Sequence, residues 1–135
     1  MTTRSISRIP RPVAASLAVL AGGIVGSAFR TAAGLAFPAP HGALPSATLA
    51  VNVLGSFALG FYLARRERAV TSRFSLQFWA FGVLGSLTTF STFSYEVVLL
   101  VEAGSAGTAA WYVVASTVGG LLAAVMGGRI GEVWR

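Results

Sequence analysis

Six hydroxyl side chains crowd into GVLGSLTTFSTFSYE (residues 82 to 96): Ser86, Thr88, Thr89, Ser91, Thr92 and Ser94, interleaved with Phe90 and Phe93. Gly82 and Gly85 precede all six, and Glu96 closes the stretch. Glycine and β-branched threonine both lower helix propensity. Hydroxyls also bond neighbouring backbone groups and so compete with the helical ladder. Such a run either back-bonds within an intact helix, with its phenylalanines facing lipid, or breaks the helix. A break inside a membrane survives only where protein or a cavity covers it. Freed carbonyls there suit a small cation, and freed amides and hydroxyls suit an anion.

Other groups able to do chemistry are few. Asn52 is the single amide in its apolar run, Arg30 ends another, and Tyr112 and Ser116 stand four apart in a third. A lone asparagine in a membrane helix often serves as interhelical glue. An arginine near a helix end can snorkel to the interface or raise the potential at a pore mouth. A charged Glu96 is costly within lipid. Cysteine is absent, which removes disulfides and thiolate metal sites. His41, the one histidine, has no second histidine to complete a ligand pair. With no carboxylate pair, His/Ser constellation or phosphate loop, the chain is not expected to be an enzyme.

These groups sit in a chain of 135 residues, 55% hydrophobic and 10% charged, with a mean hydropathy of +0.75. Soluble domains carry about a quarter charged residues, so the solvent indicated is lipid. The net charge of +6 comes from arginines that flank apolar runs. That placement fits lipid headgroups and topology, and no nucleic-acid partner is expected.

Four stretches have the roughly 20 apolar residues that a membrane helix needs: about 13–37, 46–64, 74–101 and 107–128. The chain divides into a basic tail (1–12), one four-helix transmembrane domain (13–130) and a C-terminal tail (131–135). PAPHGALP, RRERAVTSR and EAGSAG connect the spans. The first span resembles a signal peptide superficially, but its apolar run is too long and ends in Arg30, so it is expected to be retained. Gly22, Gly23, Gly26 and Ser27 in helix 1 allow close helix approach. Gly55, Ser56 and Gly60 do so in helix 2, and Gly119, Gly120, Gly127 and Gly128 in helix 4. Four helices packed this closely leave little room for a pathway inside one subunit, so oligomerisation is expected.

The block GVLGSLTTFSTFS resembles the signature of the CrcB (Fluc) family of fluoride channels. GGIVGSAFR in helix 1, TLAVNVLGSFALG in helix 2 and Tyr112-x-x-x-Ser116 in helix 4 match in the same order. The resemblance covers nearly all of the chain after the tail. It implies an all-α membrane protein with helix 3 broken near the bilayer midplane, assembled as an antiparallel dimer. It assigns the Gly85 and Thr88 carbonyls to a structural sodium ion at the dimer centre. It places Phe90 and Phe93 along two fluoride pores at the interface, with Asn52 nearby and the hydroxyls of Ser91 and Thr92 in the pathway. Ser116 and Tyr112 match a polar track on helix 4, which Gly120 interrupts where relatives often carry a hydroxyl. Arg30 and Glu96 are left as residues of pore-mouth electrostatics or structure.

The implied cargo explains the hydroxyls. Fluoride holds its water strongly, so dehydration needs donors along the path, and O–H and N–H bonds are strongest to an anion. Phenylalanine edges are positive without being a cationic trap. Weak repeated sites permit entry and exit. The expected function is passive export of toxic cytoplasmic fluoride from a bacterium. A proton-coupled multidrug exporter of similar size requires a buried carboxylate, and helix 1 has none. A non-conducting scaffold has no need of the hydroxyl cluster.

Helices 1 and 3 run the same way, which brings Arg30 and Glu96 to one membrane side as a candidate pair. The opposite side carries Arg4, Arg8, Arg11, Arg65, Arg66, Arg68, Arg73, Arg129 and Arg135. Nine arginines against one place both termini in the cytoplasm of a multi-pass inner-membrane protein. Such a bias conflicts with an antiparallel homodimer. A heterodimer with a related subunit of opposite bias is therefore the expected partner arrangement, with a homodimer as the alternative.

Overall fold

A computed structural model describes residues 11–68 and 73–133. The N-terminal tail as far as Pro10, the loop tip at 69–72 and the last two residues lie outside the described part, and with them Arg4, Arg8 and Arg135. The elements are α1 (Arg11–Ala36), α2 (Ser46–Arg68), α3 (Arg73–Leu76), a π-helical segment (Gln77–Leu84), α4 (Gly85–Leu87), α5 (Phe90–Glu102) and α6 (Ala106–Val133). Four spans are long and apolar enough to cross a membrane: Pro12–Ala36, Ser46–Arg66, Phe74–Glu102 and Ala106–Val133. No strand occurs among the described residues.

Local chemistry explains the boundaries. The Pro/Gly connection after α1 turns at Gly42, whose φ of 75° favours a residue without Cβ. α5 ends in a Schellman motif: Gly104, at φ 73°, donates to the Val101 carbonyl, and Ser105 donates to that of Leu100. This satisfies two orphan carbonyls and starts α6 immediately. α6 continues through Arg129 to Val133, beyond the apolar stretch that ends at Gly128. Polarity ends a membrane span without ending a helix, so residues 131–133 are helical.

The third span is composite. The π segment widens its middle, α4 adds one short turn, and Thr88 (φ -74°, ψ 150°) and Thr89 (φ -147°, ψ 126°) are extended before α5 restarts the helix.

Glycine sets the packing. α2 lies along α6, and α1 along the π segment. A Cβ on Gly60 would strike the Ala124 carbonyl, and one on Gly127 the Phe57 carbonyl. Across the other pair, Gly22 and Gly26 face the backbone of Phe78 and Val83 in the same way. Without a hydrophobic drive in lipid, close backbone packing holds helices together. α5 closes on α6 through Leu100, Ala109 and Tyr112, with Leu44, Leu49, Phe93 and Val97 around them. Large apolar side chains such as Leu20, Ile24, Phe29 and Leu121 point outward, as lipid-facing residues do.

Gly60→Val should therefore lower the apparent melting temperature in detergent, at an overpacking cost of about 1–3 kcal/mol or more. Gly34, whose Cβ would meet nothing within 4 Å, is the control, and Gly34→Val should melt like the parent. Equal melting of both variants would show that the α2–α6 crossing does not depend on the missing side chain.

Candidate functional site

The centre of the site is a side chain paired with a backbone. The Thr89 amide donates to Asn52 Oδ1 at 2.8 Å, and Asn52 Nδ2 donates to the Thr89 carbonyl at 3.0 Å. Asn52 thus replaces the ladder acceptor of the Thr89 amide and adds a donor to the Thr89 carbonyl. In an unbroken α-helix the Thr89 amide would donate to Gly85, and the Thr92 amide to Thr88. The Thr92 amide instead donates to Thr89 Oγ1 at 3.1 Å, so Thr89 caps α5. The Gly85 and Thr88 carbonyls each lose their helical donor through these two substitutions.

The hydroxyls divide between the two behaviours open to them. Thr88 Oγ1 donates back to the Leu84 carbonyl at 2.9 Å, and Ser94 Oγ to that of Phe90 at 2.8 Å. Thr89 Oγ1 donates to Thr92 Oγ1 at 3.0 Å and lies 3.3 Å from Ser91 Oγ. Back-bonding and capping thus occur within one short stretch.

A cavity of about 610 Å³ opens beside this junction. Asn52, Gly85, Thr88, Phe90, Phe93 and Ser116 line it, together with Gly55, Ser56, Leu59, Thr89 and Thr117, and none of these residues is charged. Phe90 is 80% exposed, and its ring centroid lies 5.9 Å from that of Phe93 at an interplanar angle of 40°. Ser116 Oγ is buried with no hydrogen-bond partner. Ser91 and Thr92 do not line this cavity.

Tyr112 is set apart from Ser116. It is fully buried at 0% exposure, its ring 5.0 Å from that of Phe93. Its hydroxyl donates to Glu96 Oε2 at 2.7 Å, and Thr48 Oγ1 donates to Glu96 Oε1 at 2.7 Å. One carboxylate thereby joins α2, α5 and α6. Arg30, Thr92 and Glu96 line a second cavity of about 320 Å³. Sharing that cavity does not make a pair: the Glu96 oxygens take hydroxyl donors, and no Arg30–Glu96 ion pair forms. A third cavity of about 430 Å³ lies between the 39–45 loop, including His41, and Thr92, Tyr95 and Glu96.

Two contributors lie outside the residues singled out from the sequence as site candidates. Thr48 orients Glu96, and Ser56 lines the large cavity. Their signal is the register Thr48, Asn52, Ser56, four apart on one face of an otherwise apolar helix.

Comparison with known proteins agrees in one direction. Residues 17–128 match the family described as CrcB-like protein, Camphor Resistance (CrcB). A fluoride-specific ion channel FluC of Thermus thermophilus is 41% identical over 116 residues, covering 85% of this chain and 91% of that protein. A Rhodospirillum centenum protein of the same name is 46% identical over 112 residues, covering 79% and 89%. Fluoride-specific ion channel FluC 3 of Streptomyces avermitilis is 40% identical over 128 residues, 94% of this chain but 62% of the relative's length. The chain belongs to the CrcB family.

Asn52→Leu keeps similar volume but removes both bonds to Thr89. Leaving the buried Thr89 amide unpaired should cost about 1–3 kcal/mol. The variant should melt earlier in detergent, and the Thr89 amide should exchange faster. Unchanged stability and exchange would show that something other than Asn52 holds this backbone.

Proposed function

We propose that this CrcB family member is a passive, fluoride-selective channel that lets toxic fluoride leave the bacterial cytoplasm. The lining of the 610 Å³ cavity carries the reading: an amide, hydroxyls and two phenylalanines, with no charged side chain. A lysine or arginine would hold a small anion too tightly for rapid passage, whereas neutral donors and ring edges compensate dehydration in small steps. Ser116 Oγ, buried and unpartnered, is a donor awaiting an acceptor. The relatives named as fluoride-specific ion channels support the same cargo.

In this mechanism fluoride sheds water against the hydroxyls and the remaining amide hydrogen of Asn52, then passes the edges of Phe90 and Phe93. Ser91 and Thr92 extend the donor path beyond the rings. Glu96, held by Thr48 and Tyr112, keeps a fixed acceptor position from which it orders neighbouring hydroxyls. Arg30 raises the potential at the mouth on its side. Gly85 and Thr88 suit a structural sodium ion, because both carbonyls have lost their helical donors and both line the cavity. Sodium there would neutralise partial negative charge where two copies of the third span meet. An exporter of cationic drugs is disfavoured, since α1 has no acidic residue.

The exposed face of Phe90 is consistent with pores between subunits, and we extend the proposal to an antiparallel dimer. The nine-to-one arginine bias supports a cytoplasmic position for both termini. Because that bias opposes inversion of half the copies, the partner is a related subunit of opposite bias.

Purified protein in liposomes, with its partner if one is required, should release fluoride down its gradient to a fluoride electrode and release chloride barely. In the same assay Phe90→Ile and Phe93→Ile should each cut flux roughly tenfold, with assembly intact, through loss of the polar ring edge. Replacing sodium by a bulky cation should weaken flux or the dimer. Equal chloride release would refute selectivity, and dependence on a proton gradient would refute a passive channel.

A cysteine added at either terminus should label from the cytoplasmic side alone. Comparable labelling from both sides, with fluoride flux from this chain expressed by itself, would establish a dual-topology homodimer instead.

A further inference from the structure

We infer that Ser56 of α2 is a working donor on the anion route, reached through a notch that Gly120 leaves in α6. The inference rests on the channel reading above and deepens it. Ser56 lines the large cavity with Asn52 and Ser116. Its hydroxyl donates to the Asn52 carbonyl at 2.7 Å. That carbonyl is also the ladder acceptor for the Ser56 amide, four residues on in α2. The hydroxyl bond is therefore a second bond to an oxygen that the backbone already satisfies. Turning the hydroxyl away strands no buried group, and one rotation about χ1 is all that is required.

Gly120 supplies the space. A Cβ there would stand 3.5 Å from Ser56 Oγ, an ordinary contact distance. The glycine thus leaves room for about one methyl-sized group directly beside the hydroxyl. On α6, Ser116 lies one turn earlier, with its Oγ buried and unpartnered. An anion moving along α6 from Ser116 meets no hydroxyl on that helix at Gly120. It meets Ser56 from the facing helix instead. The donor series is continuous because it changes helices. Asn52 offers only its remaining Nδ2 hydrogen, since its Oδ1 and the other hydrogen hold Thr89.

The test is a rescue measured as fluoride efflux from liposomes, with assembly checked by size-exclusion chromatography. Ser56→Ala should lower efflux roughly five- to tenfold, the loss of one hydrogen bond to an ion. Ser56→Ala with Gly120→Ser should recover to within about twofold of the parent, because the same bond is supplied from α6. Gly120→Ala alone should also slow efflux, since it fills the notch while Ser56 stays in place.

Parent-like flux in an assembled Ser56→Ala variant overturns the inference, as does failure of Gly120→Ser to rescue it. If Ser56→Ala does not assemble, the Gly120 pair decides. Slower flux in Gly120→Ala than in Gly120→Ser supports the route, and equal flux overturns it. A parent protein that passes no fluoride defeats the channel reading itself, a result distinct from any ranking among the variants.

Discussion

Lipid offers no partner to an exposed backbone group, and the paired hydrogen bonds between Asn52 and Thr89 are what lets this chain interrupt a helix within the membrane. They let the third span leave helical geometry for two residues and resume it. Thr89 then turns its own hydroxyl on the Thr92 amide, so the restarted helix is capped by the residue that Asn52 holds. The carbonyls of Gly85 and Thr88, the cavity beside them and the outward position of Phe90 all follow from that interruption. Ser116 on α6 and Ser56 on α2 matter because they border the same space.

The glycine contacts determine how precisely that pairing can be made. With α2 pressed onto α6 and α1 onto the π segment, the backbones have little freedom to slide. Glu96 adds a polar tie among α2, α5 and α6 near one end of the spans. A side-chain amide must reach both groups of a single peptide residue at 2.8 and 3.0 Å. Rigid crossings supply that accuracy; apolar side chains sliding in lipid would not.

The four spans were legible because their apolar runs and glycine- or proline-rich connections are strong local signals. Gly22, Gly26, Gly60 and Gly127 read correctly as close-packing residues, whereas a Cβ on Gly119, Gly120 or Gly128 would meet no more than an ordinary contact. The π segment was not legible: Gln77–Leu84 is apolar on nearly every side and lacks a periodic pattern to betray its winding. Arg30 and Glu96 were matched by charge and membrane side, yet the carboxylate is satisfied by hydroxyls from helices distant in sequence. Thr48 and Ser56 were not singled out as site residues although their spacing around Asn52 carried the signal, because an amide is rarer in lipid than a hydroxyl and Asn52 stood out alone. The partner of Asn52 is a backbone, and no residue type advertises that.

The two extended residues also divide an electric field. Peptide dipoles in one uninterrupted third span would sum along its whole length and express their ends near the two membrane surfaces. Interrupting the span at Thr88 and Thr89 moves two of those poles inward. The segment ending at Leu87 presents its negative pole, through carbonyls, toward the junction, while α5 presents its positive pole at Phe90. Poles of this kind carry roughly half an elementary charge each, and low-dielectric surroundings let them act at short range with little screening. The backbone alone thereby sets opposite potentials a few residues apart, with no ionised side chain needing to be buried there.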